Sequence, residues 1–179
     1  MNVEIEAKLK VDSHKAIERR LPKLGASFAA NQKQIDFYFD DSKFTFTKGD
    51  KCLRIRKQSG RGKDRYFLAY KGPKQKSNFK KRAEIEIEIN DLEKTKAILQ
   101  ILGYTQAIVV EKTRRLWKLS NCLVALDKVK RLGNFVEIEG PDNKKIEKIK
   151  TLLGLENFVH IKQSYADLLS QKLSKRIRR

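Results

Sequence analysis

Polar and apolar residues alternate one for one along much of this chain. In VEIEAKLKV, Val3 to Val11, Glu4, Glu6, Lys8 and Lys10 fall on one side of an extended segment, with Val3, Ile5, Ala7, Leu9 and Val11 on the other. Successive side chains of a strand point to opposite faces, so the apolar row predicts a strand buried on one face. The same period returns in QIDFYFD, where Ile35, Phe37 and Phe39 oppose Gln34, Asp36, Tyr38 and Asp40, and in CLRIRK, where Leu53 and Ile55 oppose Arg54 and Arg56. RYFLAYKG sets Lys71 in phase with Phe67 and Ala69, and KRAEIEIEI sets Arg82, Glu84, Glu86 and Glu88 against Ala83, Ile85, Ile87 and Ile89. EKTRRLWKL carries Lys112 and Arg114 in one phase, NCLVALDKVK carries Asp127, and NFVEIEG carries Glu137 and Glu139. That makes about eight strands, the number at which a closed antiparallel barrel leaves room for side chains or one small ligand.

Three segments share a plan: a strand containing Glu-Ile-Glu, a polar cap, an amphipathic helix and a Leu-Gly end. They are EIEAKLKVDSHKAIERRLPKLGA, EIEIEINDLEKTKAILQILGY and EIEGPDNKKIEKIKTLLGL. Asp12 or Ser13, Asn90 or Asp91, and Asp142 are the expected N-caps, and Gly25, Gly103 and Gly154 the expected glycines after the helices. A last amphipathic segment, SYADLLSQKLSKRIRR, keeps Ala166, Leu169 and Leu173 on one side, and its basic end, Lys175 to Arg179, is expected to fray. The stretch GPKQKSNFKK, Gly72 to Lys81, is the longest polar loop and a candidate flap over a site.

At 179 residues and 40% hydrophobic composition, the chain is expected to be one domain, residues 1–179. Its formal net charge of +19 draws anions: nucleic acid, anionic lipid or polyphosphate. Cys52 and Cys122 lie in apolar strand-like runs without a CxxC spacing and are expected to be reduced core thiols of an intracellular protein. No apolar leader or membrane span is legible, so a cytoplasmic location with no membrane partner is expected. His14 and His160 have no Cys or His neighbour at ligand spacing and are expected to be packed or solvated.

With the apolar rows under helices, the charged rows would share the remaining, concave face. Carboxylates gathered there from several strands repel unless a hard divalent cation sits among them, and the gathered Lys and Arg need an anion. Mg²⁺ or Mn²⁺ on a triphosphate satisfies both. A wet antiparallel sheet also pairs Glu with Lys across strands. Recurrence over so many strands, Glu-rich in the first, fifth and eighth and Arg/Lys-rich in the third, fourth and sixth, favours the cation-plus-polyanion site. There is no GxxxxGK[ST] loop and no Ser or Cys set beside a histidine as a nucleophile. A basic RNA-binding protein remains the remote alternative, but its phosphates would be repelled by the Glu-x-Glu pairs, so nucleic acid is not the expected partner.

The opening Glu4-x-Glu6-x-Lys8 resembles the ExExK signature of the CYTH superfamily, the triphosphate tunnel metalloenzymes. QIDFYFD, CLRIRK, YKGPK, RAEIEIEI, EKTRR, LDKVKRLGNFVEIE and SYADLL follow in that family's order. The resemblance implies an α+β fold: an eight-stranded antiparallel closed barrel, lined by charge, with helices packed outside. Carried over, Glu6 and Glu137 are similar to principal metal ligands, with Glu4, Glu84, Glu86 and Glu139 as further acids around one or two Mg²⁺ or Mn²⁺ ions. Lys8, Arg54, Arg56, Lys71, Arg82, Lys112 and Arg114 resemble the triphosphate-binding set, Lys8 and Arg114 acting in catalysis with Asp127, an acid near the reacting end of the nucleotide. The LDxVxxLGxFVEIE block is most similar to the class IV adenylyl cyclases, which turn ATP into cyclic AMP and pyrophosphate. A metal-dependent triphosphatase acting on thiamine triphosphate or inorganic tripolyphosphate is the alternative, and the acid row Glu84, Glu86, Glu88 suits it too. The expected partner is a nucleoside triphosphate or another triphosphate, and a homodimer through the outer face stays open.

Overall fold

A computed structural model describes residues 2–177. Among these, eight strands form: β1 (Asn2–Val11), β2 (Ser27–Asp40), β3 (Cys52–Ser59), β4 (Arg65–Lys71), β5 (Lys80–Ile89), β6 (Thr105–Leu119), β7 (Cys122–Val129) and β8 (Gly133–Glu139). They close into one antiparallel barrel in the order β1-β5-β4-β3-β2-β6-β7-β8. The helices are α1 (Lys15–Lys23), α2 (Thr45–Lys48), α3 (Leu92–Ile101), α4 (Asn143–Leu152) and α5 (Tyr165–Ile177).

The three repeated segments become β1-α1, β5-α3 and β8-α4, and their strands lie side by side in the barrel wall. Glu6 of β1 stands opposite Lys80 of β5 and Glu139 of β8. Asp91 and Asp142 cap α3 and α4 by accepting the Lys94 and Lys145 amides at 2.9 and 2.8 Å. Helix α1 has His14 at its N-cap without a side-chain bond, and Ser13 instead accepts the Lys15 amide. Gly25, Gly103 and Gly154 all take left-handed φ, as their positions after the helices require.

Helices α1 and α4 cover the outer face of β1, β7 and β8. Ile17, Leu21, Ile146 and Ile149 pack there with Ala7, Leu9, Val124, Val136 and Ile138. Fully burying such a side chain contributes roughly 1.5–3 kcal/mol, so this layer fixes which strand faces turn inward. Helix α3 brings Leu99 onto Phe39 and Ile55. The helical cover stops short of part of the outer wall, where Ile85, Ile87 and Val3 remain about half exposed.

Helix α5 packs differently. Val110, Val129 and Phe135 stand in phase with the charged inward rows of β6, β7 and β8, yet they cluster with Tyr165 and Leu169. The inward rows thus turn apolar at one end of the barrel, where α5 seats. Of the expected fraying tail, residues 175–177 continue this helix, and Arg178 and Arg179 lie outside the described residues.

The Gly72–Lys81 stretch is anchored, in place of the expected flap. Phe79 is buried in the main core, Gly72 donates to the Ala83 carbonyl, and Ser77 donates to Asn143. Lys80 and Lys81 already belong to β5. Cys122 is a buried free thiol, whereas Cys52 is in phase with Arg54 and lines the cavity instead of the core. His14 and His160 are packed: the His14 ring bonds the Phe135 carbonyl, and His160 Nδ1 accepts the Lys8 amide. Among the described residues no helix is long and apolar enough to cross a membrane.

Candidate active site

The inward rows surround a cavity of about 850 Å³. Of the residues singled out in the sequence, Glu4, Glu6, Lys8, Arg54, Arg56, Lys71, Arg82, Glu84, Glu86, Lys112, Arg114, Glu137 and Glu139 all line it. Their distribution follows strand order. The acid-bearing strands β5, β1 and β8 are contiguous, and the facing wall takes Lys71 from β4, Arg54 and Arg56 from β3, and Lys112 and Arg114 from β6, with Asp36 of the intervening β2 among them. Lys8, Lys80 and Arg82 interleave cations among the acids.

Each wall is held by ion pairs. Lys80 reaches Glu6 at 2.6 Å, Lys71 reaches Glu4 at 2.6 Å and Glu84 at 3.1 Å, and Arg54 reaches Glu86 at 2.9 Å. Lys8 stands 3.4 Å from Glu137, donates to the Gln163 carbonyl at 2.9 Å, and lies 4.2 Å from the centre of the Tyr165 ring. Arg56 grips Asp36 through two bonds, at 2.6 and 2.9 Å, and Lys112 reaches the same carboxylate at 2.7 Å. Arg114 grips Asp127 at 2.8 and 2.6 Å and also bonds Glu137. Such forked pairs fix a guanidinium's direction as well as its charge.

Asp127 lies behind Arg114. It is fully buried, is not among the residues that line the cavity, and accepts from both Arg114 and the Tyr165 hydroxyl, the latter at 2.9 Å. Glu88 likewise falls outside the cavity, where it is exposed and paired with Arg65 at 2.7 Å, so the acid row of β5 contributes only Glu84 and Glu86.

Lys80, Asp36, Gln34 and Tyr165 were not among the expected site residues. Lys80 is in phase with Arg82 and Glu84, and that spacing was the available signal; its place at the end of a polar loop obscured it. Asp36 and Gln34 sit in the polar row of QIDFYFD, where only their burial marks them. Tyr165 stands in the SYADLL block, but its place at the cavity follows from the seating of α5.

Protonation behaviour shows where charge is short. Burial works to raise the Glu6 pKa, but Lys80 and Lys8 overcome it and hold the carboxyl well below its usual range. Asp36 is held low in the same way by Arg56 and Lys112 against its burial. Glu139, by contrast, is pushed up to about 7 by burial and by the neighbouring Glu4 and Glu6, and Glu4 is raised by burial and by Glu6. Lys112 is pushed down to about 8 by burial and by Arg56.

The acid wall is therefore short of positive charge: Lys71 is shared between Glu4 and Glu84, and Glu139 has no ion pair among the described residues. Among the described residues no three acidic, histidine or cysteine side chains already surround one point as a metal cage. The carboxylates are turned toward lysines and arginines instead. An all-oxygen donor set short of countercharge fits a hard divalent ion such as Mg²⁺ or Mn²⁺. Glu4, Glu6, Glu137 and Glu139 are the residues that would hold it, with Glu84 and Glu86 beside them. Ammonium groups released from those acids would then be available to phosphate oxygens.

Toward one mouth the lining changes. On β3 the inward row runs Arg54, Arg56, Gln58; on β2 it runs Asp36, Gln34, Gln32. On β6 it runs Lys112, Arg114, Leu116, and on β7 Asp127 gives way to Ala125 and Leu123. The rows turn neutral toward the same end but not at the same level: Gln34 pairs with Gln58 on one side and stands opposite Lys112 on the other, Gln32 stands opposite Arg114, and Ala125 and Leu123 stand opposite Glu137 and Glu139.

A profile of the CYTH domain matches residues 2–165. MJ0240 of Methanocaldococcus jannaschii, an adenylate cyclase by name, is 35% identical over 150 residues, covering 84% of this chain and 83% of that protein. Adenylate cyclase CyaB of Aeromonas hydrophila is 28% identical over 153 residues, covering 80% and 75%. The solved structure of the PH1819 protein from Pyrococcus horikoshii superposes with a TM-score of 0.82 at 31% identity, covering 94% of this chain and 99% of that one.

Proposed function

The chain belongs to the CYTH domain family, and on that premise we propose that it is a class IV-type adenylyl cyclase, converting ATP to cyclic AMP and pyrophosphate in its charged tunnel. The observation that carries this reading is the facing of two walls across one cavity, carboxylates from β5, β1 and β8 against cations from β4, β3 and β6.

Lys8, Lys71, Lys80, Arg54, Arg56, Arg82, Lys112 and Arg114 bind the triphosphate chain, the arginines by forked bonds and the lysines as point charges. Bound at the acid wall, Mg²⁺ or Mn²⁺ would neutralise phosphate charge and acidify the attacking hydroxyl. In the reaction the ribose 3′-hydroxyl gives up its proton to solvent as its oxygen bonds to the α-phosphorus, the bond to the β-side bridging oxygen breaks, and pyrophosphate leaves with that electron pair. Lys8 and Arg114, fixed by Gln163 and Asp127, meet the charge that develops on the leaving group. Asp127, fully buried and held by Arg114 and Tyr165, serves by orienting Arg114.

A triphosphatase would use the same cradle with water as the nucleophile. Incubating the purified protein with ATP and Mg²⁺ or Mn²⁺ separates the two. Cyclic AMP with pyrophosphate is the expected outcome, and orthophosphate release assigns hydrolysis.

A further inference from the structure

One carboxylate on the cavity wall comes from neither the acid-bearing strands nor β2. Asp50 reaches the lining from the turn between α2 and β3, with its backbone in the left-handed region at φ 51°. Aspartate enters that region more readily than most residues, so the turn can present a carboxylate there. Oδ2 accepts the Lys74 amide at 2.8 Å, and Oδ1 accepts both Lys74 Nζ and Arg82 Nη2, the latter at 2.8 Å. The turn before β3, the loop after β4 and the first residues of β5 thus meet on one side chain. Burial works to raise the Asp50 pKa, but the bonds from Lys74 and the charge of Arg82 hold it below the usual carboxylate range, so it carries its negative charge.

Arg82 depends on this contact. It is buried, its Nε has no partner among the described residues, and the bond to Asp50 is its one ion pair there. Arg56 and Arg114 are each fixed by two bonds to an aspartate, whereas Arg82 has a single one. In the β1/β5 register Arg82 stands opposite Glu4, whose cation, Lys71, is shared with Glu84. A buried guanidinium needs a countercharge. Without Asp50, the acid across the strand pair is the one at hand, and a guanidinium turned onto Glu4 is lost to phosphate.

We propose that Asp50 is a positioning residue for the triphosphate chain, holding the Arg82 guanidinium off the acid wall and at the disposal of phosphate oxygens. The inference rests on the triphosphate reading above and adds to it an acid that strengthens the binding of an anion. Coulomb repulsion alone gives the opposite sign, since taking a carboxylate out of the lining of an anion site favours the anion. The direction of the effect therefore separates a positioning role from mere proximity.

The test is calorimetric titration of the whole protein with inorganic tripolyphosphate, Mn²⁺ present. Asp50→Gly removes the carboxylate while leaving the left-handed turn unstrained, and it is expected to weaken binding about tenfold, the scale of one charged hydrogen bond to phosphate. Asp50→Asn keeps one acceptor and is expected to recover part of that loss. With Arg82→Ala already in place, Asp50→Gly is expected to weaken binding no further, whereas an effect passing through Lys74 and its loop would persist there. The same titrations give the fraction of protein that binds, so partial loss of folded protein does not pass for weaker affinity. Unchanged or tighter binding by Asp50→Gly would overturn the proposal and make Asp50 a competitor of phosphate for Arg82. So would an equal weakening in the Arg82→Ala background. Absence of binding by the unaltered protein would overturn the triphosphate reading itself, and this proposal with it.

Discussion

Lys80 Nζ lies 2.6 Å from Glu6 Oε1 across the β1/β5 pair, with the two side chains 7% and 8% exposed. This contact ties the ExExK strand to the end of the Gly72–Lys81 loop, so the acid wall and the loop anchor form one unit. Glu6 stays ionised there because Lys80 and Lys8 outweigh its burial.

Replacing Glu6 with Gln leaves Lys80 as a buried cation without its principal partner. Removing one member of a buried pair costs about 3–5 kcal/mol, and water in the cavity should bring the loss here to the low end, about 3 kcal/mol. Denaturant unfolding measures it. Metal-dependent turnover should fall about 100-fold or more, the scale seen when a group aimed at developing charge is removed. A variant with both stability and turnover intact would place Glu6 outside the site.

Triphosphate binding should weaken as pH rises through about 8, where buried Lys112 loses its proton. The anion binds the ammonium form, so binding takes up a proton above that pH and affinity falls with each further step. Stability moves the other way. Between about 8 and the ordinary lysine value of 10.5, the unfolded chain holds a proton that the folded chain has released, so Lys112 penalises folding less as pH rises through this window. Tripolyphosphate affinity measured from pH 7 to 10 checks the first effect, and Lys112→Arg should flatten the profile. A profile that is flat in the unaltered protein would contradict it.

Arg54→Ala should raise the dissociation constant for tripolyphosphate about 10- to 100-fold, since charged hydrogen bonds contribute about 1.5–3 kcal/mol. Arg54 is buried, bonds Glu86, and has an Nε that is without a partner among the described residues. Arg54→Lys should recover only part, because a point charge replaces a fork. Unchanged affinity in Arg54→Ala would move the phosphate chain away from β3.

The barrel was legible in the sequence because period-two alternation marks a strand with two different environments. The three Glu-Ile-Glu repeats even name the strands that end up adjacent. Alternation says which residues share a face but nothing of depth along it. Asp127 has the phase of a lining residue yet lies behind Arg114, and Glu88 has the phase of Glu86 yet stands past the mouth. Lys80 was hidden because composition marks its segment as loop, whereas Phe79 buries against the core and β5 begins directly after it. Tyr165 depends on where a terminal helix docks, a long-range contact that no local pattern encodes.

The central claim is that carboxylates of β5, β1 and β8 share a divalent ion while the facing cations hold a phosphate chain. Crystals grown with Mn²⁺ and α,β-methylene ATP test it directly through the anomalous signal of manganese. The account predicts a manganese peak inside the barrel, coordinated by Glu6 and Glu137 and by phosphate oxygens that also meet Arg54 and Arg114. Manganese bound only on the outer surface, with no phosphate between the two walls, would contradict it.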